Sequence, residues 1–193
     1  MVAAVRSSDC LRLPPQAVLG PKLFFTVSTV SEVVSTTDKC PWSSLVFDAK
    51  GNLYGTTVAG GAKGCYDLTC GGTVFQLTPP ATKGNPWMET LIYEFASYPN
   101  GSSPLSNLIF DKNGHLYGTT QIGGTGSCLD DNGFPDGCGT IFSLSPPASG
   151  TEWTLATLYS FTAGNDGAFP FSGLSFEGKG NLYGTARAGG GSG

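Results

Sequence analysis

Apolar and polar positions alternate over short stretches of the chain, and most of these stretches end at glycine or proline. Between residues 153 and 161, Leu155, Thr157, Tyr159 and Phe161 fall on one face and the residues between them on the other. An alternation with a period of two residues is the pattern of a β strand. The chain is therefore predicted to be built from many short strands.

The same pattern of residues recurs along the chain. A Gly-(Asn/His)-Leu-Tyr-Gly core occupies residues 51–55, 114–118 and 180–184, at offsets of 63 and 66 residues. Recurrence at a fixed period is typical of tandem structural repeats. The residues that keep these offsets upstream of the core are Pro41, Pro104 and Pro170, Leu45, Leu108 and Leu174, and Phe47, Phe110 and Phe176.

Each repeat predicts four strands. Residues 108–111 and 115–119 form a hairpin, because Asn-Gly readily supplies the positive φ of a tight turn. Residues 140–145 form a third strand, which a pair of prolines ends, and residues 153–161 form a fourth. Four-stranded units at this period are typical of β-propeller blades. The glycine after each tyrosine of the core predicts a close backbone approach or a β-bulge.

The repeats divide the chain into two parts. Residues 1–40 match the repeat poorly and form an N-terminal segment that holds at most one partial strand. Residues 41–193 form tandem β repeats that start near residues 41, 104 and 170, and the last of them is incomplete. Since a propeller closes with about four to eight blades, we expect an incomplete segment of a longer propeller, with further repeats of the same protein.

Composition narrows the class of protein. Glycine (29 residues) and proline (13 residues) are frequent and charged residues make up 12% of the chain, which excludes a helical bundle or a coiled coil. The net charge is −4 and there is no basic stripe, so a nucleic-acid partner is excluded. No apolar run approaches the length of a membrane span.

The combined motifs resemble a known family. Gly-Asn-Leu-Tyr-Gly-Thr-Thr, Gly-Gly, Gly-Thr-(Val/Ile)-Phe and Leu-Tyr-x-Phe, taken in order over residues 41–193, resemble the GloVer tandem-repeat family of bacterial choice-of-anchor proteins. The Asp-x-x-Gly-Asn-Leu-Tyr hairpin is also similar, more loosely, to that of NHL-type β-propellers. The GloVer resemblance implies a propeller-like fold and export. It implies no established catalytic activity, so no catalytic residues are carried over.

The cysteines point to an oxidising compartment. Their spacing offers no paired Cys-x-x-Cys knuckles for zinc, and free thiols are the other alternative to disulfides. Disulfides persist outside the cytosol, which agrees with an extracellular or cell-surface location. The pairs predicted from position in the repeat are Cys65–Cys70 and Cys128–Cys138, which leaves Cys10–Cys40 by elimination.

Aromatic residues are the candidates for ligand contact. Tyr54, Tyr117 and Tyr183 recur in every unit, so we expect them to pack between blades, and a ring of sugar-stacking platforms is the alternative. The candidate ligand-stacking residues are Trp87, Trp153 and Tyr66.

Titratable residues give little support for catalysis. His115 is the only histidine and stands at a hairpin turn, which does not suit Ser-His-Asp or Cys-His chemistry. Asp48, Asp111 and Glu177 recur at one hairpin position, so their carboxylates are predicted to cap the turn.

One acidic loop breaks the repeat. Residues 129–137 contain Asp130, Asp131 and Asp136, which are weak calcium candidates because calcium favours several oxygen ligands on one loop. The spacing of an EF-hand is absent, and an ordinary polar loop clamped by a disulfide is the alternative reading. No other metal or cofactor is indicated.

Three functions remain open from the sequence. The favoured one is a non-catalytic exported repeat module for cell-surface adhesion or for binding a glycan or protein ligand. The alternative is a propeller-type enzyme that acts on a carbohydrate or lactone through carboxylates or a metal. The third is a structural spacer without a ligand.

Overall fold

The computed structural model describes residues 38–61, 71–82, 85–96, 99–178 and 180–191, with the side chains of residues 38–40 left out. Within these ranges the regular structure is entirely β, and no helix is long and apolar enough to cross a membrane. The strands are β1 (Asp38–Pro41), β2 (Val46–Phe47), β3 (Leu53–Gly60), β4 (Thr73–Thr78), β5 (Met88–Glu94), β6 (Ile109–Phe110), β7 (Leu116–Thr120), β8 (Thr140–Ser145), β9 (Thr154–Ser160), β10 (Ala168–Pro170), β11 (Ser175–Phe176), β12 (Leu182–Tyr183) and β13 (Ala186–Ala188).

The strands group into three repeat units, which we call unit 1 (residues 38–96), unit 2 (residues 101–161) and unit 3 (residues 168–191). In unit 1, β1 and β2 both pair with β3, and β4 and β5 complete an antiparallel sheet. Unit 2 repeats this order as β6-β7-β8-β9. Unit 3 contributes two antiparallel pairs, β10 with β13 and β11 with β12. The prediction of an all-β chain with propeller-like, four-stranded blades in tandem is confirmed.

The first strand of each unit is interrupted, and a serine side chain fills the gap. In unit 1 the gap lies between β1 and β2, and the backbone N–H of Thr56 in β3 donates to Ser43 Oγ instead (3.0 Å). A buried N–H without an acceptor would destabilise the sheet, so this serine takes the place of the missing backbone carbonyl. The equivalent hydrogen bonds run from Thr119 N–H to Ser106 Oγ (2.8 Å) and from Thr185 N–H to Ser172 Oγ (2.9 Å).

The glycine that follows each core tyrosine makes room for a side chain. A Cβ at Gly118 would lie 2.7 Å from Cζ of Phe142 and 3.0 Å from Cδ2 of Leu108. The irregular register falls elsewhere, between Ile141 and Phe142 where β8 pairs with β9. Of the two alternatives predicted for this glycine, the structure therefore shows a close approach, and the bulge belongs to the next strand.

The main hydrophobic core is shared between two units. The face of unit 1 that looks toward unit 2 buries its residues against the unit 2 sheet, while a smaller cluster packs within unit 1 alone. A repeat that buries its apolar face only against its neighbour depends on that neighbour for stability. The shared cluster comprises Tyr54, Val74, Ile92 and Phe95 of unit 1 with Leu108, Leu116, Phe142 and Leu144 of unit 2.

Consecutive units are joined by the same backbone hydrogen bond. Ser103 N–H donates to the carbonyl of Gly71 (2.8 Å), and Phe169 N–H donates to the carbonyl of Cys138 (2.8 Å). Ser103 and Phe169 both adopt positive φ, 55° and 53°, a conformation that costs an L residue free energy. The repeated strain at one position shows that this joint is part of the repeat.

Candidate ligand-binding groove

A groove of about 530 Å³ lies between two hairpin turns that belong to different units. The first turn joins β2 to β3 in unit 1, and the second joins β6 to β7 in unit 2. Gln76 of β4 and Trp153, which precedes β9, also line it. Its aromatic lining is Phe47, Tyr54, Phe110 and Trp153, and its charged lining is Asp48, Lys50, Asp111 and Lys112.

Asp48 closes the first turn with its carboxylate. Its Oδ1 accepts hydrogen bonds from the backbone N–H groups of Lys50 (2.8 Å) and Asn52 (2.9 Å). Its Oδ2 accepts from Asn52 Nδ2 (2.7 Å) and from the Tyr54 hydroxyl (3.2 Å). Burial alone would raise the pKa of Asp48, but these hydrogen bonds, chiefly those from Asn52, outweigh it and hold the pKa below its usual value.

Asp111 closes the second turn in the same way. Its Oδ1 accepts from the N–H groups of Asn113 (2.8 Å) and His115 (2.9 Å), and its Oδ2 accepts from the Tyr117 hydroxyl (3.3 Å). His115 Nδ1 lies 2.8 Å from the same Oδ2. Burial would raise the pKa of Asp111, but the hydrogen bonds, led by those from His115, lower it overall. The two carboxylates therefore cap their turns, and His115 is a turn residue.

Glu177 occupies the equivalent position of unit 3 with a longer side chain. Its Oε2 accepts from Asn181 Nδ2 (2.7 Å), and its backbone makes the same turn hydrogen bonds as the two aspartates, to Asn181 and Gly180. The backbone turn thus forms in all three units, and the capping carboxylate accepts more hydrogen bonds where the residue is aspartate.

Tyr54 lines the groove and is also part of the shared core. Its side chain is only 5% exposed, and its ring packs edge-on against Phe110 (centroids 5.1 Å apart) and Trp153 (6.1 Å). Its hydroxyl accepts from Gln76 Nε2 (2.8 Å) while it donates to Asp48. Burial, and then the negative charge of Asp48, raises the pKa of Tyr54 to about 12. The hydroxyl therefore stays protonated at neutral pH and fixes the carboxylate.

The structure separates the candidate ligand-stacking residues. Trp153 lines the groove and is half-buried against Tyr54. Trp87 packs instead on the small cluster within unit 1, so it is not part of the groove. Tyr66 lies outside the described residues.

The second contact between units repeats part of this arrangement. Tyr117 packs edge-on against Phe176 of unit 3 (5.1 Å, 85°), and burial followed by the charge of Asp111 raises its pKa. Tyr183 is 58% exposed. The prediction that the core tyrosines pack between units therefore holds for Tyr54 and Tyr117, and for Tyr183 it stays a prediction, since no unit follows unit 3 among the described residues.

One predicted disulfide lies in the described part of the chain. Cys128 and Cys138 are bonded, and Cys138 is fully buried. Cys138 also supplies the carbonyl that joins unit 2 to unit 3, so the disulfide anchors its loop at that joint. Of the other predicted pairs, Cys65–Cys70 and Cys10–Cys40 fall outside the described side chains.

The acidic loop does not assemble a metal site. Asp130 caps a turn of its own, with Oδ1 accepting from the N–H groups of Asn132 (2.9 Å) and Phe134 (2.8 Å). Asp131 is exposed, while burial, and then the charge of Asp130, raises the pKa of Asp136. Among the described residues, no three His, Cys, Asp or Glu side chains come together as metal ligands. Asp130, Asp131 and Asp136 thus do not converge as the calcium alternative requires.

The repeated sheets and joints define an all-β tandem-repeat protein. The family model named Gloeobacter/Verrucomicrobia repeat matches residues 24–193. The chain belongs to this family, which confirms the GloVer resemblance and extends the match into residues 24–40. Comparison with curated proteins and with solved structures found no match.

Lys50, Lys112 and Gln76 are groove residues that the sequence did not single out. In the sequence Lys50 recurs as Lys179, whereas Lys112 stands where the other repeats have Ala49 and Gly178. The groove is lined by turns from two units. The recurrence of Asp48 and Asp111 marked the turns, but nothing in one repeat indicates which turn lies opposite.

Proposed function

We propose that the chain is a non-catalytic, exported binding module that takes a saccharide in the groove between units 1 and 2 and serves adhesion at a cell surface. The groove itself is the observation that carries the proposal. Its volume of about 530 Å³ lies within the roughly 300–1,000 Å³ of small-ligand sites. A membership of the repeat family agrees with a binding module but does not by itself name a ligand.

The mixed lining of the groove supports a saccharide. Sugars present apolar C–H faces and polar hydroxyl groups on the same ring, so they suit sites in which aromatic rings and polar side chains alternate. Phe47 is 59% exposed at the groove, and Trp153 offers a second ring. Asn113 and Lys112 supply polar groups from the opposite turn.

The carboxylates of the groove support binding without cleavage. A glycosidase needs one carboxyl group with a raised pKa to protonate the leaving group. The pKa values of Asp48 and Asp111 are both lowered instead. Each carboxylate also accepts hydrogen bonds from backbone N–H groups of its own turn, and these bonds fix its orientation without a substrate.

The disulfide supports export. Bonds such as Cys128–Cys138 persist in oxidising compartments and are rare in the cytosol of most organisms. An extracellular saccharide ligand fits the same location.

The proposal is tested by titrating the full chain with a panel of neutral and acidic oligosaccharides in a calorimeter. We expect binding of at least one saccharide, and a loss of about tenfold in its affinity on Phe47→Ala, because truncating an aromatic contact commonly costs more than 1 kcal/mol. Trp153→Ala should weaken binding further. Because Trp153 also packs on Tyr54, thermal unfolding of that variant is measured alongside.

Trp42→Ala is the matched control, since Trp42 is 45% exposed and does not line the groove. Its affinity should equal that of the unmodified chain. A chain that binds none of the saccharides, or that loses as much affinity on Trp42→Ala as on Phe47→Ala, would contradict the proposal.

A further inference from the structure

We infer that the groove prefers an acidic saccharide, one whose sugar residues carry carboxylate groups, as uronic acids do. This inference rests on the proposed saccharide site and names the class of ligand that it selects. It depends on where the cations of an otherwise acidic protein lie.

Two lysine side chains line the groove. The chain carries a net charge of −4. Of the ten lysine and arginine residues of the chain, three have described side chains, and two of these, Lys50 and Lys112, line the groove. The third, Arg187, is exposed on β13 of unit 3. An anion in the groove therefore lies near two cations.

The two lysines of the groove come from different units. Lys50 belongs to the turn of unit 1 and Lys112 to the turn of unit 2, so a ligand that fills the groove can contact both units. Within the described residues no carboxylate lies within salt-bridge distance of either ammonium group. Each ammonium group thus keeps its three N–H donors for a ligand.

The two aspartates of the groove do not use these donors. Asp48 accepts four hydrogen bonds from its own turn, and Asp111 is held in the same way. The negative charges of the two aspartates offset the positive charges of the two lysines at long range. Selection therefore depends on short-range contacts, in which a charged ammonium donates to a carboxylate, and such bonds are stronger than those to a neutral hydroxyl.

A pair of ligands that differ only in charge tests the inference. The probes are an oligogalacturonate trimer and its methyl ester, which share one sugar backbone. Calorimetric titration of the full chain should show about tenfold tighter binding of the acid, as two partly exposed ion pairs would give. The preference should shrink as salt is raised, because exposed charges are screened.

Substitutions of the two groove lysines test whether they cause the preference for the acidic saccharide. Lys50→Gln combined with Lys112→Gln should weaken binding of the acid about tenfold more than binding of the ester, so that the preference for the acid is lost. Arg187→Gln is the control, because it removes a positive charge outside the groove, and both affinities should stay as they are.

Each outcome bears on a separate claim. Equal binding of acid and ester, or binding of neutral saccharides alone, overturns the inference and leaves the saccharide site standing. A preference for the acid that survives the double substitution also overturns it, because the lysines then play no part. If no saccharide binds at all, the proposed function fails together with the inference.

Discussion

The contact of unit 1 with unit 2 and the contact of unit 2 with unit 3 use the same repeat positions but bury them to different extents. Ile92 on β5 is 8% exposed, whereas Leu158, its equivalent on β9, is 48% exposed. Phe95 is fully buried against Phe142, with centroids 5.1 Å apart, whereas the equivalent Phe161 is half-buried. These near-identical motifs lie in different environments because, among the described residues, unit 3 contributes no counterparts of β8 and β9 to its contact with unit 2.

The turns do not show this difference. Asp48 and Asp111 make the same set of hydrogen bonds, although Tyr54 is 5% exposed and Tyr117 is half-buried. Turn chemistry is local, since an aspartate bonds to N–H groups a few residues along its own chain. Burial is set by the neighbouring unit, as expected of repeats that each contact only their neighbours.

The largest effect on the free energy of unfolding should come from removing an aromatic ring at one of the two contacts between units. Phe95→Ala should lower the free energy of unfolding by about 3–5 kcal/mol, because it opens a cavity in the shared core. The equivalent Phe161→Ala should lower it by about 1–2 kcal/mol, since its ring already meets solvent. Guanidinium unfolding of the full chain measures both, and equal losses would break the comparison.

A smaller effect should come from adding a methyl group at the glycine of the repeat core. Gly118→Ala should destabilise by about 1–3 kcal/mol, because its Cβ would overlap the ring of Phe142. At the equivalent Gly184 the close neighbour is the flexible end of Leu174, 2.8 Å away, so Gly184→Ala should cost less than about 1 kcal/mol.

Gly178→Ala serves as the control for these substitutions, because no atom lies within 4 Å of its Cβ position. Its free energy of unfolding should stay within about 0.5 kcal/mol of the parent. The ranking would be contradicted if Gly184→Ala proved as costly as Gly118→Ala in the same unfolding measurement.

The smallest effect concerns the turn charge and should not depend on the neighbouring unit. The folded pKa of Asp48 lies below its ordinary value of 3.8, so its ionised form stabilises the fold above about pH 4, and this stabilisation is lost as the pH falls through the folded pKa. Asp48→Asn keeps one acceptor oxygen and removes the charge. It should cost less than about 1 kcal/mol at pH 7, after allowance for solvent screening.

Unfolding measured from pH 7 downward checks this expectation, and the gap between Asp48→Asn and the parent should close in acid. Glu177→Gln is the comparison, since its carboxylate accepts from the side chain of Asn181 rather than from a set of backbone N–H groups. A gap that widened as the pH fell would show that the carboxylate destabilises the turn.

The strands and turns were predictable because their signals are local. Alternation located β9, the Asn-Gly turn located the hairpin at Asp111, and the equivalent loop positions paired Cys128 with Cys138. Each of these features depends on residues close together in one repeat.

The groove and the gaps in the first strands were not predictable, because they depend on contacts between distant segments. Lys50 and Lys112 line one groove only when two units pack side by side. The angle between the two units cannot be predicted from a single sequence. Ser43 recurs as Ser106 and Ser172, so the repeat did carry a signal for the bridging serine. Its role became visible only with the break between β1 and β2.

The three tryptophans allow the most direct test of the groove between units 1 and 2 as the ligand site. The indole N–H signals of Trp42, Trp87 and Trp153 are followed by two-dimensional NMR of the full chain while the tightest saccharide of the panel is added. Binding in the groove should shift the Trp153 signal and leave those of Trp42 and Trp87 in place. A saccharide that binds and shifts Trp42 or Trp87 while Trp153 stays unchanged would contradict the assignment of the groove.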